Sequence, residues 1–122
     1  MAYDPGFGEW VREHFAALEP LEIKRMFGGA AVYSQGLIFA LLDDGVVWLK
    51  ADEVNQPLLE QAGARQFTFA GKDGEPMAMA YWSLPESALD DADEAVDWAR
   101  RSIDVALRKA AAKKPRKAKL KP

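Results

Sequence analysis

His14 is the one histidine of this 122-residue chain, and cysteine is absent. Those two facts exclude thiolate nucleophiles, disulfides, cysteine zinc sites and multi-histidine metal centres before any spacing is considered. His14 falls with Trp10, Val11, Phe15 and Leu18 on one apolar stripe at helical spacing, which assigns it to packing or to a boundary position. Ser34 and Ser83 could be imagined beside it as nucleophiles, but neither sits in a nucleophile-elbow context. Asp43-Asp44 and the cluster Asp90, Asp91, Asp93 and Glu94 offer oxygen ligands for a divalent cation. The first pair suits a turn and the second a helix start, and EF-hand spacing is missing from both. Gly28-Gly29 and Gly71-Lys72-Asp73-Gly74 match neither the dinucleotide fingerprint nor a Walker A loop. The residues therefore predict no catalytic centre, no metal and no cofactor.

Charge is the second source of chemistry. Residues 1 to 107 hold 19 acidic and 8 basic side chains, a net of −11, whereas the last 15 residues carry +8 with no acid. Those eight cations are Arg108, Lys109, Lys113, Lys114, Arg116, Lys117, Lys119 and Lys121. An acidic body repels phosphate backbones and a basic tail attracts them, so nonspecific nucleic-acid binding is expected in the tail. Counterion release would make such binding weak, sequence-blind and steeply salt-dependent, with a Kd of roughly 10⁻⁴ to 10⁻⁶ M at physiological salt. A solubility tail, or one folding back on the acidic body, accounts for the same residues. Tyr33, Trp48, Tyr81 and Trp82 could form a stacking platform for single strands, but Lys24, Arg25, Lys50 and Arg65 are few cations for that role. Packing beneath helices or cover for a sheet edge is the expected use of these rings.

The elements that position these residues follow from periodicity and punctuation. A helix is predicted over 7–18, closed by Glu19-Pro20, then strands over 21–27, 30–33, 37–42 and 46–50 separated by glycine-bearing turns. A short helix follows over 52–62, with Pro57 delaying its regular part, then strands over 66–69 and 77–82. The last helix spans 91–112, with acids in its first turns, bases in its last and Pro115 beyond it. Its buried face is expected to carry Ala95, Ala99, Ile103, Ala106, Leu107 and Ala110. The order α-β-β-β-β-α-β-β-α predicts a two-layer α+β fold, an antiparallel meander sheet with helices on one face. One domain over 1–110 and a disordered basic tail over 111–122 are expected. Neither a membrane span nor a signal peptide is legible, and a cytoplasmic location is inferred. Unpaired sheet edges make a homodimer compatible with the fold.

Lys24-Arg25-Met26-Phe27-Gly28-Gly29-Ala30-Ala31-Val32-Tyr33, then Gly36 to Leu42, Asp44-Gly45, Trp48 to Asp52 and Tyr81-Trp82-Ser83-Leu84-Pro85, form an ordered series of blocks. The series resembles the N-terminal domain of the TfoX/Sxy family, bacterial proteins linked to regulation of natural competence, over roughly residues 7 to 110. The resemblance implies a non-enzymatic regulatory or protein-interaction domain with a protein partner in the transcription machinery. It further implies that competence regulators of this kind act as coactivators with the cyclic-AMP receptor protein. The family residues carried over are Arg25, Met26, Phe27, Gly28, Gly29, Tyr81 and Pro85, with mainly structural roles. For Arg25 an ion pair with a neighbouring acid is the structural reading, and an anion or partner contact is the alternative. Family members often carry a second, C-terminal domain where this chain has a basic tail.

Overall fold

The computed structural model describes residues 4–26, 28–70 and 74–119, with the side chains at 69, 70, 76 and 113–119 outside that description. Helix α1 covers Pro5–His14. Asp4 caps it by accepting the Gly6 N–H at 3.1 Å, and Pro5 sits in the first turn, where its missing N–H costs nothing. The predicted continuation to residue 18 is instead a separate 3-10 turn, Ala16–Leu18. Arg12 fastens this end to the sheet, donating to the Leu21 carbonyl at 2.9 Å and lying 3.6 Å from Glu19.

Six antiparallel strands follow: β1 Leu21–Met26, β2 Gly29–Ser34, β3 Leu37–Asp43, β4 Val46–Lys50, β5 Gln66–Ala70 and β6 Pro76–Ser83. Their order in the sheet is β1-β2-β3-β4-β6-β5, so the first four strands are the expected meander and β5 and β1 are the edges. Turn chemistry sets this register: Gln35-Gly36 and Asp44-Gly45 all take positive φ, which closes β2–β3 and β3–β4 tightly. A bulge opposite Val32 and Tyr33 places both Phe39 and Ala40 on the helix side, an irregularity that alternation alone does not reveal.

Helix α2 is shorter than expected, Gln56–Gln61. Side chains take over residues 52–55: Asp52 Oδ1 accepts from the Val54 N–H at 2.9 Å, while Asn55 Oδ1 accepts from the Asp52 N–H at 2.8 Å. A 3-10 turn, Glu86–Asp90, then leads into α3, Ala92–Lys119. α3 runs beyond the expected end at Ala112, through a stretch made of strong helix formers apart from Pro115. The expected boundary at residue 110 therefore falls inside a helix.

α3 packs across β3 and β4. The core joins Val11 and Phe15 of α1, Leu59 of α2 and Ala95, Val96 and Ala99 of α3 to Val32, Leu42, Val47, Leu49 and Trp82 of the sheet. Leu107, expected on the buried face of α3, is exposed, and Ser102 is buried in its place. A polar side chain is tolerated there because its hydroxyl donates to the Lys50 carbonyl at 2.8 Å.

Candidate functional site

Alternation sends a second set of side chains to the sheet face away from the helices. The register puts Lys24, Ala31, Leu41 and Trp48 in one row across β1 to β4, and sets Tyr81 opposite Lys50 between β6 and β4. Three of the four aromatics considered for a platform, Tyr33, Trp48 and Tyr81, therefore lie on this face, and Trp82 alone of the four reaches the helix-side core. The expectation that all would pack beneath helices or cover an edge is corrected for these three. The cause is register: Trp48 and Trp82 sit one residue apart on the β4–β6 ladder and so point to opposite faces.

This face is concave. Met26, Gly29 and Ala30 on one side and Phe67, Met79 and Tyr81 on the other border a groove of about 550 Å³, with Ile38, Leu41, Leu42 and Asp43 completing its lining. Strands distant in the sheet, β1 and β5, thus approach across the face, as coiling of a twisted sheet allows. Ala31 is fully buried and Tyr81 only 8% exposed although both lie on the sheet face away from the helix-side core. Phe67 packs on Trp48 with ring centres 4.8 Å apart. Cations border the face: Lys24 lies 5.0 Å from the Tyr33 ring centre and Arg65 5.3 Å from that of Trp48. Burial pushes the Tyr81 hydroxyl above its ordinary pKa, with nearby Tyr33 adding to the effect, so Tyr81 remains a protonated phenol at neutral pH.

Both motif glycines are explained by position. Gly28 turns the chain at φ 85°, a conformation other residues reach at a cost. At Gly29 a methyl would collide with the Leu42 carbonyl oxygen of the paired strand. Pro85 is fully buried and opens the 3-10 turn before α3. Met26, Gly29 and Tyr81, taken from blocks fifty residues apart in sequence, meet in the groove.

Residues 13–106 match the TfoX N-terminal domain family. The chain belongs to the TfoX N-terminal domain family. No curated protein matches the chain. TfoX N-terminal domains are not a known enzyme family.

Within this TfoX domain the other predicted residues disperse. Arg25 is exposed on β1, on the helix side of the edge strand and opposite Ala30, and Phe27 lies outside the described residues. His14 is a boundary side chain, stacked 4.5 Å from Trp10 while its Nε2 donates to the Ala88 carbonyl at 2.7 Å. Asp44 is exposed in its turn, Asp43 is half-buried in the groove, and no metal-ligand cluster occurs among the described residues. Arg108, counted with the tail, belongs to the folded body: its Nε and Nη2 each donate to Asp52 at 3.0 Å. Lys109 is exposed on α3. The side chains of Lys113, Lys114, Arg116, Lys117 and Lys119, and all of Lys121, lie outside the description. Sequence reasoning missed Ile38, Leu41, Phe67 and Met79 as site residues. The alternation Met77, Met79, Tyr81 was a usable signal for one wall. Among the described residues no helix is long and apolar enough to cross a membrane.

Proposed function

We propose that this TfoX N-terminal domain is a non-enzymatic regulatory module that acts by binding another protein, with the transcription machinery as the class of partner. The observation that carries this reading is the groove. Among the described residues its lining is apolar except for Asp43 and the Tyr81 hydroxyl, a composition suited to binding by burial. Family membership adds the regulatory context. The test is twofold: capture of chromosomally tagged full chain from the native host, and transcript profiling of a deletion strain. One reproducible partner from the transcription apparatus with a coherent transcript change is expected. Absence of a specific partner together with an unchanged transcript profile refutes the proposal.

A second activity, weak nucleic-acid binding through the tail, is favoured by the +8 charge of the last 15 residues. Arg108 is held by Asp52, so seven cations remain for phosphates, and truncation after Ala112 removes six of them without breaking that pair. In fluorescence anisotropy with a labelled duplex, the full chain is expected to bind at low salt and weaken steeply with added salt. Truncated and full chains binding alike would eliminate the tail.

A further inference from the structure

Asp43 stands apart from the other carboxylates of the body. It is half-buried, is the one charged residue among the described residues that line the groove, and its carboxylate makes no hydrogen bond or ion pair with the described residues. Its Oδ1 lies 3.5 Å from where a side chain at Gly29 would begin, so the bare glycine keeps the space beside the carboxylate open. Two cations that border this face are engaged with rings, Lys24 with Tyr33 and Arg65 with Trp48. A half-buried carboxylate without a partner gains most from an incoming cation. Around it the net −11 of the first 107 residues attracts cationic groups and repels phosphate backbones.

Beside that carboxylate lies an apolar floor and two walls. Leu41 and Ile38 come from the central strand β3, while Met26 lines the groove from β1 and Met79, Tyr81 and Phe67 line it from β6 and β5 on the other side. Methionine side chains adapt to varied apolar shapes, and aromatic rings supply large contact area at low entropic cost. The volume of about 550 Å³ fits a small group of buried atoms rather than an extended interface.

We propose that the groove receives a bulky apolar side chain of a partner protein, flanked there by a lysine or arginine that pairs with Asp43. The proposal rests on the protein-binding reading above and adds the address and the chemistry of the contact.

The test selects a displayed library of random twelve-residue peptides on the immobilised full chain, and in parallel on the Asp43→Lys variant. Enrichment of an aliphatic or aromatic residue next to Lys or Arg is expected on the wild type, with the flank changing to Asp or Glu on Asp43→Lys. The best wild-type peptide is then titrated into protein carrying ¹³C-methyl methionine. The Met26 and Met79 signals should shift saturably, and this readout needs no variant. Leu41→Glu, and independently Met79→Glu, should weaken the peptide at least tenfold while near-ultraviolet circular dichroism confirms the fold. Peptides that bind without moving the Met26 and Met79 signals, or a flank preference unaltered by Asp43→Lys, overturn the proposal and leave protein binding standing. If no peptide is enriched on the wild type, the groove proposal falls, and partner capture from the native host decides the protein-binding reading separately.

Discussion

Gly28 and Gly29 adjoin in sequence, yet they should fail for different reasons when substituted. At Gly28 the obstacle is conformation. With φ at 85°, an L-residue costs about 1–2 kcal/mol, and asparagine tolerates that region better than alanine does. At Gly29 the obstacle is space. An alanine methyl meets the Leu42 carbonyl oxygen, a backbone atom of the neighbouring strand that cannot rotate away, so β2 and β3 must separate locally. Overpacking of this kind costs roughly 1–3 kcal/mol. A domain of ordinary stability, about 5–15 kcal/mol, survives either change and unfolds measurably earlier. Urea denaturation followed by tryptophan fluorescence reads both. Gly28→Asn should recover at least half of the loss seen in Gly28→Ala, whereas Gly29→Asn should be worse than Gly29→Ala. Rescue by asparagine at Gly29 instead of Gly28, or a Gly29→Ala effect under about 0.5 kcal/mol, would show that conformation and space do not divide the two glycines in this way.

The Asp52–Arg108 pair makes a pH-dependent prediction. Burial alone would raise Asp52, but hydrogen bonds from the Val54 N–H, the Arg108 guanidinium and the Asn55 N–H, together with the Arg108 charge, hold it below its ordinary 3.8. A depressed carboxyl contributes stability that is complete above the unfolded value and is lost as pH falls through the folded one. Asp52→Asn should thus flatten the acid limb of a stability–pH curve below about pH 4, and an unaltered limb would contradict this. A double-mutant cycle on Asp52 and Arg108 should give a coupling of about 0.5–1 kcal/mol, since the arginine is partly exposed. His14→Leu keeps an apolar side chain against Trp10 but removes the shorter of two hydrogen bonds to the Ala88 carbonyl, the Asp91 N–H remaining at 3.4 Å, so its cost by chemical denaturation should stay near about 1 kcal/mol. Ser102→Ala removes one of two donors to the Lys50 carbonyl, the other being Asn55 Nδ2, so its cost should stay near 1 kcal/mol.

The meander was legible because its turns advertise themselves: Gln35-Gly36 and Asp44-Gly45 carry the positive φ values that tight connections need, and apolar runs fill the gaps. Local side-chain bonding was harder to read. The reciprocal contacts of Asp52 and Asn55 displaced the first turn of a predicted helix, and both residue types also suit helix starts. Ser102 is missing from the expected buried face of α3 because its partner, the Lys50 carbonyl, comes from a strand fifty-two residues earlier. The groove was the least accessible feature. Met26 and Tyr81 were visible as motif residues, but their meeting depends on how far the sheet coils and on β6 inserting between β4 and β5. Both are long-range facts that no local pattern encodes. The bulge near Val32 concealed in the same way which of Phe39 and Ala40 would face the helices.

The proposed binding function belongs to the folded body, at the uncovered sheet face, with a secondary role for the basic tail. Quantitative partner capture from the native host with three tagged forms decides it: full chain, full chain with Leu41→Glu, and chain truncated after Ala112. Truncation is expected to retain the partner and Leu41→Glu to lose it. A partner retained by folded Leu41→Glu and lost on truncation would contradict this, and would move the function to the tail.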